Sequence, residues 1–126
     1  MPDLNMAASP SLDPTSLTYA IVVRCGPHQQ SRALSAFQFT KEVLLQGHKV
    51  LSVFFYQQGV HTASGLRVVP QDELNLTVLW QQLSLDYDLD LGVCIAAALQ
   101  AGITNQQEAN RYELDSDSLA SQFSLV

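Results

Sequence analysis

Cys94 stands where a short apolar strand runs into a helix of small residues, in Asp90-Leu-Gly-Val-Cys-Ile-Ala-Ala-Ala-Leu-Gln-Ala-Gly102. A strand of a parallel sheet delivers its last residues to the carboxyl edge, where α/β proteins place their sites. The helix that follows turns unpaired N–H groups and the positive end of its dipole toward that edge. Such surroundings favour a thiolate, the reactive form of cysteine, so the chemistry open to this position is nucleophilic attack by sulfur. A free cysteine in an apolar run is equally an ordinary small core residue. Position sets Cys94 apart, and spacing alone leaves both readings open.

The other reactive residues are few. Cys25 ends the first apolar strand; if that strand lies beside the one carrying Cys94, the two thiols approach closely enough to form a disulfide or to relay sulfur, the alternative being two unpaired core cysteines. His28 and His61 fall in loops at the same edge and could come near Cys94, whereas His48 precedes a strand and falls at the opposite edge. A thiol protease or acyl-transfer site needs a histidine beside its cysteine, and ordinary loop histidines are the simpler reading of all three. Three scattered histidines also make a poor metal set. A cysteine phosphatase is excluded, because the arginine needed six residues after the nucleophile is replaced by Gln100 and the intervening residues are Ile-Ala-Ala-Ala-Leu. Gly26-Pro27-His28 follows the first strand but lacks the glycine spacing of a nucleotide loop. Pro27-His28-Gln29-Gln30 fits a flavin phosphate poorly, so the reading requires neither cofactor nor metal.

The elements that must hold these residues follow from apolar periodicity. Met1 to Ser16, with Pro2, Pro10 and Pro14, reads as a disordered tail, and 17–126 as one domain. Leu17 to Cys25 is a strand whose near-continuous apolarity suits a buried parallel position. Ser31 to Gln46 is a helix with Ala33, Ala36, Phe37, Thr40, Val43 and Leu44 on one face, closed by Gly47. Lys49 to Phe55 is a second strand. Tyr56 to Glu73 is a long connection of the kind that often carries function. Leu74 to about Leu85 is a helix, with Leu76, Leu79, Trp80 and Leu83 inward. Leu91 to Ile95 is the third strand, Ala96 to Ala101 a short helix stopped by Gly102, and Asn105-Gln-Gln-Glu108 a capping box opening another. Phe123 to Val126 opens a fourth strand. This order predicts an α/β three-layer sandwich with a mostly parallel, doubly wound sheet. The expected topology is flavodoxin-like, with strand order 2-1-3-4.

The totals narrow the functions further. The chain has 126 residues, 47% hydrophobic and 14% charged, against roughly 25% charged in typical soluble domains. So few charges suggest a surface partly covered by other subunits. The net charge is −6, with acids gathered from Asp86 to Asp117, which argues against direct nucleic-acid binding. Two cysteines without a CxxC pair fit a reducing cytoplasm. The amino-terminal residues lack a signal peptide's basic start and apolar stretch, and no apolar run is long enough to span a bilayer.

Several segments match, in order, the DsrE/TusD family of intracellular sulfurtransferases. They are Ser35-Ala-Phe-Gln-Phe39, Gly47-His48, Ser52-Val-Phe-Phe-Tyr56, Gly59-Val60, Trp80-Gln-Gln-Leu83, and Val93-Cys-Ile-Ala-Ala-Ala-Leu99 with Gly102. The chain resembles that family over about Leu17 to Val126, and its TusD branch most closely. The resemblance implies a flavodoxin-like fold and a cysteine that carries sulfane sulfur as a persulfide, a role that falls to Cys94 alone. It further implies a cytoplasmic hexameric complex with sister subunits resembling TusB and TusC. A donor resembling TusA would supply the sulfur and an acceptor resembling TusE would take it, toward 2-thiouridine in tRNA.

Two departures accompany it. The family often carries basic residues just after the Ala-Ala-Ala-Leu block, where this chain has Gln100-Ala101. Family members also continue with another helix and a fifth strand, so the domain reads as C-terminally truncated. The rival readings are a non-catalytic subunit that supports such a complex, a DsrE-like protein of dissimilatory sulfur oxidation and, more remotely, a flavin-binding domain.

Overall fold

Four short runs of apolar residues pair into one all-parallel sheet, and the segments between them coil into helices that pack on it. The computed structural model describes Thr15–Val126; residues 1–14 of the tail read from the sequence lie outside the described residues. The elements are β1 (Thr18–Val23), α1 (Gln30–Leu45), β2 (Lys49–Phe55), a 3-10 helix (Gln57–Ala63), α2 (Leu76–Tyr87), β3 (Leu91–Val93), α3 (Ile95–Gln100), α4 (Gln106–Arg111) and β4 (Phe123–Leu125). The α/β class, the parallel sheet and its flanking helices are those expected of a flavodoxin-like sandwich. The 3-10 helix occupies part of what reads in sequence as an unstructured connection.

The strand order differs from the expected 2-1-3-4. It is β1-β2-β3-β4, each strand pairing with the next in sequence. β1 is therefore an edge strand rather than a central one. Its apolar run reads as though both faces were covered, but Ala20 and Val22 are exposed on the face away from the core and Val22 is 56% accessible. The interior positions belong to β2 and β3, and in β3 Leu91, Gly92 and Val93 are all buried. Because β2 separates β1 from β3, Cys25 does not lie beside the Cys94 strand. Two strand spacings of about 4.8 Å intervene.

Two rows of side chains on one face build the core. Val23, Phe55, Val93 and Leu125 stand in register, as do Ile21, Val53, Leu91 and Phe123, and all eight belong to the core or pack against it. A bulge adjusts β2 to this surface. Tyr19 pairs with Val50 and Ala20 with Ser52, so Leu51 has no partner. Val50 and Val53 then both face the core, while Leu51 is 61% exposed. One extra residue thus resets the side-chain alternation that a regular strand would impose.

α1 buries Ala33, Phe37, Thr40 and Val43, a helical stripe in which Thr40 Oγ1 donates to the Ala36 carbonyl at 2.9 Å. α2 is capped by Asn75, whose Oδ1 accepts from Val78 N–H, and it drives Trp80 into the centre. The Trp80 ring meets Phe37 at 5.2 Å and Phe55 at 5.3 Å, both edge to face, and Phe55 meets Phe123 in turn. These rings tie α1, α2, β2 and β4 together directly beneath the carboxyl ends of β2 and β3.

Among the described residues the four α-helices end in the same way. The N–H five residues on returns to the carbonyls of Val43, Ser84, Ala98 and Ala109, and the residue before it is left-handed. Gly47 and Gly102 adopt that conformation without a Cβ penalty, whereas Asp88 and Glu113 adopt it as ordinary residues. Aspartate tolerates the left-handed region better than glutamate does. Glu113→Gly should therefore stabilise the protein by about 1 kcal/mol and raise the melting temperature by several degrees. A thermal melt showing no rise would mean that the strain is relieved elsewhere. The capping box at Asn105 is half formed. Asn105 Oδ1 accepts from Glu108 N–H at 2.8 Å, but the buried Glu108 Oε1 makes no hydrogen bond and has Arg111 Nε 3.8 Å away.

Candidate functional site

The candidate site lies at the ends of β2 and β3. Phe55 and Val93 are paired and fully buried, so the next residues, Tyr56 and Cys94, emerge together at the carboxyl edge. Cys94 N–H donates to the Phe55 carbonyl at 3.0 Å and its own carbonyl accepts from Ala98 N–H at 2.9 Å. The strand ladder and the first turn of α3 therefore both hold the Cys94 backbone. The strand stops two residues earlier than expected, which places Cys94 at the N-cap of α3 and Ile95 inside the helix. Ile95 N–H donates to the Val126 carbonyl, tying the last residue of the chain to this junction. The Cys94 thiol is half-buried and makes no capping hydrogen bond.

A second wall crosses over from β2. Tyr56 N–H donates to the Val23 carbonyl at 3.0 Å, and the 3-10 helix then passes so close to the end of β1 that a Cβ on Gly59 would stand 2.1 Å from the Val23 oxygen. Glycine is required there because a backbone, not a flexible side chain, fills the space. The approach lays Gln57, Gln58, Val60 and His61 against Ala97, Gln100 and Ala101 of α3 across a cleft of about 320 Å³. Cys94, the N-cap of α3, precedes this wall by one helical turn and is not itself among the residues that line the cleft.

The other residues singled out in the sequence separate. His61 is half-buried in this cleft, on the side facing α3. His28 lines a different cleft with Arg67, Gln30 and Glu73. Burial lowers the Arg67 guanidinium from its ordinary value, and the group donates to Thr77 Oγ1 at 3.2 Å. His48 sits at the opposite edge, where its Nδ1 accepts from Leu17 N–H at 3.0 Å and its ring packs against Tyr19; it anchors the start of β1. Cys25 is half-buried and packs against the core. No group of three or more metal-binding side chains gathers among the described residues, and no helix among them is long and apolar enough to cross a membrane.

Sequence reasoning missed Gln57. Its backbone is left-handed, with φ +52°, and Arg24 Nε donates to its Oε1 at 3.0 Å. A positive φ at a non-glycine residue leaves no mark in the sequence; the nearest signal is Gly59, two residues on.

A model of the DsrE/DsrF-like family matches residues 18–124. A sulfurtransferase TusD homolog of Aliivibrio fischeri is 42% identical over 105 residues, which cover 83% of this chain and 81% of that protein. A sulfurtransferase TusD homolog of Vibrio parahaemolyticus is 43% identical over 107 residues, covering 85% and 82%. The chain belongs to the DsrE/DsrF-like family.

Proposed function

We propose that the protein is a sulfurtransferase subunit that carries sulfane sulfur as a persulfide on Cys94, within a sulfur relay serving 2-thiouridine in tRNA. The observation that carries this reading is a half-buried thiol at the β3–α3 junction in a chain more than 40% identical to two TusD-type sulfurtransferases. The Cys94 thiolate attacks the outer sulfur of a donor persulfide. A new S–S bond forms on Cys94, the donor's S–S bond breaks, and the donor departs as a thiolate that takes up a proton. An acceptor thiolate later removes the outer sulfur by the same exchange. Each step conserves atoms and electrons, so no external oxidant is needed.

Partners resembling TusB and TusC as sister subunits, TusA as donor and TusE as acceptor belong to the same proposal. The low charge and the exposed Val22 and Leu51 on the sheet face away from α1 and α2 support coverage by such subunits. The acidic balance supports a relay that reaches tRNA through another protein. Incubation with a persulfide-charged donor, followed by peptide mass analysis, is expected to show one added sulfur atom on the Cys94 peptide and none on the Cys25 peptide. Sulfur appearing on Cys25 instead would reassign the carrier. No labelling of Cys94 under any donor would leave the protein a supporting subunit.

A further inference from the structure

A second cleft, of about 280 Å³, lies between the segment that leaves the 3-10 helix, the first two turns of α2 and the approach to β4. It shares no residue with the cleft lined by α3. Its polar lining is Ser64, Arg67, Asn75, Thr77, Gln81 and Ser121. No aspartate or glutamate lines it, in a chain with twelve acids and six bases.

The hydrogen bonds already made around this cleft leave donors over. Thr77 Oγ1 donates to the Thr62 carbonyl at 2.6 Å, so toward Arg67 Nη1, 3.2 Å away, it can only accept. The buried Thr77 thereby fixes one corner of the guanidinium at the cleft wall. The other N–H groups of Arg67 have no partner among the described residues, where the ion pair formed is that of Arg111 with Glu108. Glu73 lines the cleft that Arg67 shares with His28 and forms no ion pair with it. Burial lowers the guanidinium from its ordinary value, so the cation is partly desolvated without a counter-charge. Asn75 Oδ1 accepts from Val78 N–H, which leaves the Asn75 NH2 group. Ser64 Oγ accepts from Leu66 N–H and Ser121 Oγ from the Gln81 amide, which leaves both hydroxyl protons. A cation and neutral donors from three separate segments, with no carboxylate among them, make a site for an anion. A carboxylate accepts close to one plane, whereas a tetrahedral oxyanion accepts from every side.

We propose that this cleft binds a phosphate group, paired with the Arg67 guanidinium and accepting from the Ser64 and Ser121 hydroxyls and the Asn75 amide. Its volume lies just below the roughly 300–1,000 Å³ of sites that take drug-sized ligands. The group therefore arrives as free phosphate or on a small molecule. The site is separate from Cys94 and does not rest on its persulfide role.

Titration calorimetry of the full chain at constant ionic strength tests it, with inorganic phosphate, glycerol phosphate and acetate as probes. Inorganic phosphate is expected to bind saturably at one site, and acetate about tenfold more weakly or less. Tighter binding of glycerol phosphate than of inorganic phosphate supports the proposal with a phosphomonoester as the source, and the reverse order supports it with the free ion. Arg67→Met keeps an apolar stem and removes the charge; it should lower phosphate affinity by about tenfold or more. Ser121→Ala removes one donor from an exposed residue, and the Gln81 amide keeps its bond to the Ser121 carbonyl. This variant should fold as the unaltered chain does and bind phosphate about three- to tenfold more weakly. It decides the matter should Arg67→Met fail to fold. Unchanged phosphate affinity in either folded variant overturns the proposal. So does acetate bound as tightly as phosphate, or an unaltered chain that shows no saturable phosphate binding.

Discussion

Cys94→Ser is expected to yield a folded protein that accepts no sulfur. What Cys94 does for the fold it does through its backbone, by donating to Phe55 and accepting from Ala98, and serine keeps both bonds. Serine is moreover a preferred N-cap, whose hydroxyl can accept from an amide in the first turn of α3. The thermal melt should thus be unchanged or shifted up by the equivalent of about 0.5–1 kcal/mol. The chemistry has no such substitute, because a hydroxyl is neither ionised near neutral pH nor able to hold sulfur as a persulfide. Transfer should fall by about 10³-fold or more, roughly 4 kcal/mol of barrier. The measurement is the rate of sulfur passage from a charged donor to an acceptor thiol, read beside a circular-dichroism melt. Wild-type transfer by the serine variant would sink the proposed mechanism, and loss of folding would show that the thiol has a packing role.

Trp80→Ala is the substitution expected to damage the fold most. Trp80 is 1% exposed and meets Phe37 and Phe55 edge to face, so truncation leaves a cavity bounded by α1, α2 and β2. Large aromatic-to-alanine changes in cores cost about 3–5 kcal/mol, against a total stability of about 5–15 kcal/mol for domains in general. The urea midpoint and the melting temperature should both fall, the latter by about 15 °C or more. Phe55 also carries the carbonyl that holds Cys94 N–H, so sulfur loading should become slower even where the variant remains folded. A cost near 1 kcal/mol would mean that α2 closes into the space. Packing at this position would then not be what holds the ends of β2 and β3 in place.

Much of the fold was legible because its signals are local. Helical spacing of Ala33, Phe37, Thr40 and Val43 defined α1 almost to its ends, Gly47 and Gly102 marked two helix stops, and Asn105 marked a start. The position of Cys94 was legible to within two residues for the same reason: an apolar strand gives way to a run of small helix formers there, although the structure puts the change at Cys94 rather than after Ile95. The family motifs pointed the same way, and the matching family model covers nearly all the described residues.

What the chain by itself determined, then, was the type and order of the strands and α-helices, their limits to within about two residues, and the placing of one thiol near a strand–helix junction, because hydrophobic period and turn chemistry act over a few residues. Tertiary structure alone decided the strand order and, with it, the separation of Cys25 from Cys94 by β2. It also decided the bulge that turns Leu51 outward, the closing of the 3-10 helix over β1 at Gly59, and the left-handed Gln57 beside the cleft. The apolar run Ala20-Ile-Val-Val23 reads the same at a sheet's centre or at its edge. Which place it takes depends on where each crossover returns the chain, and that is settled by contacts between residues far apart in sequence.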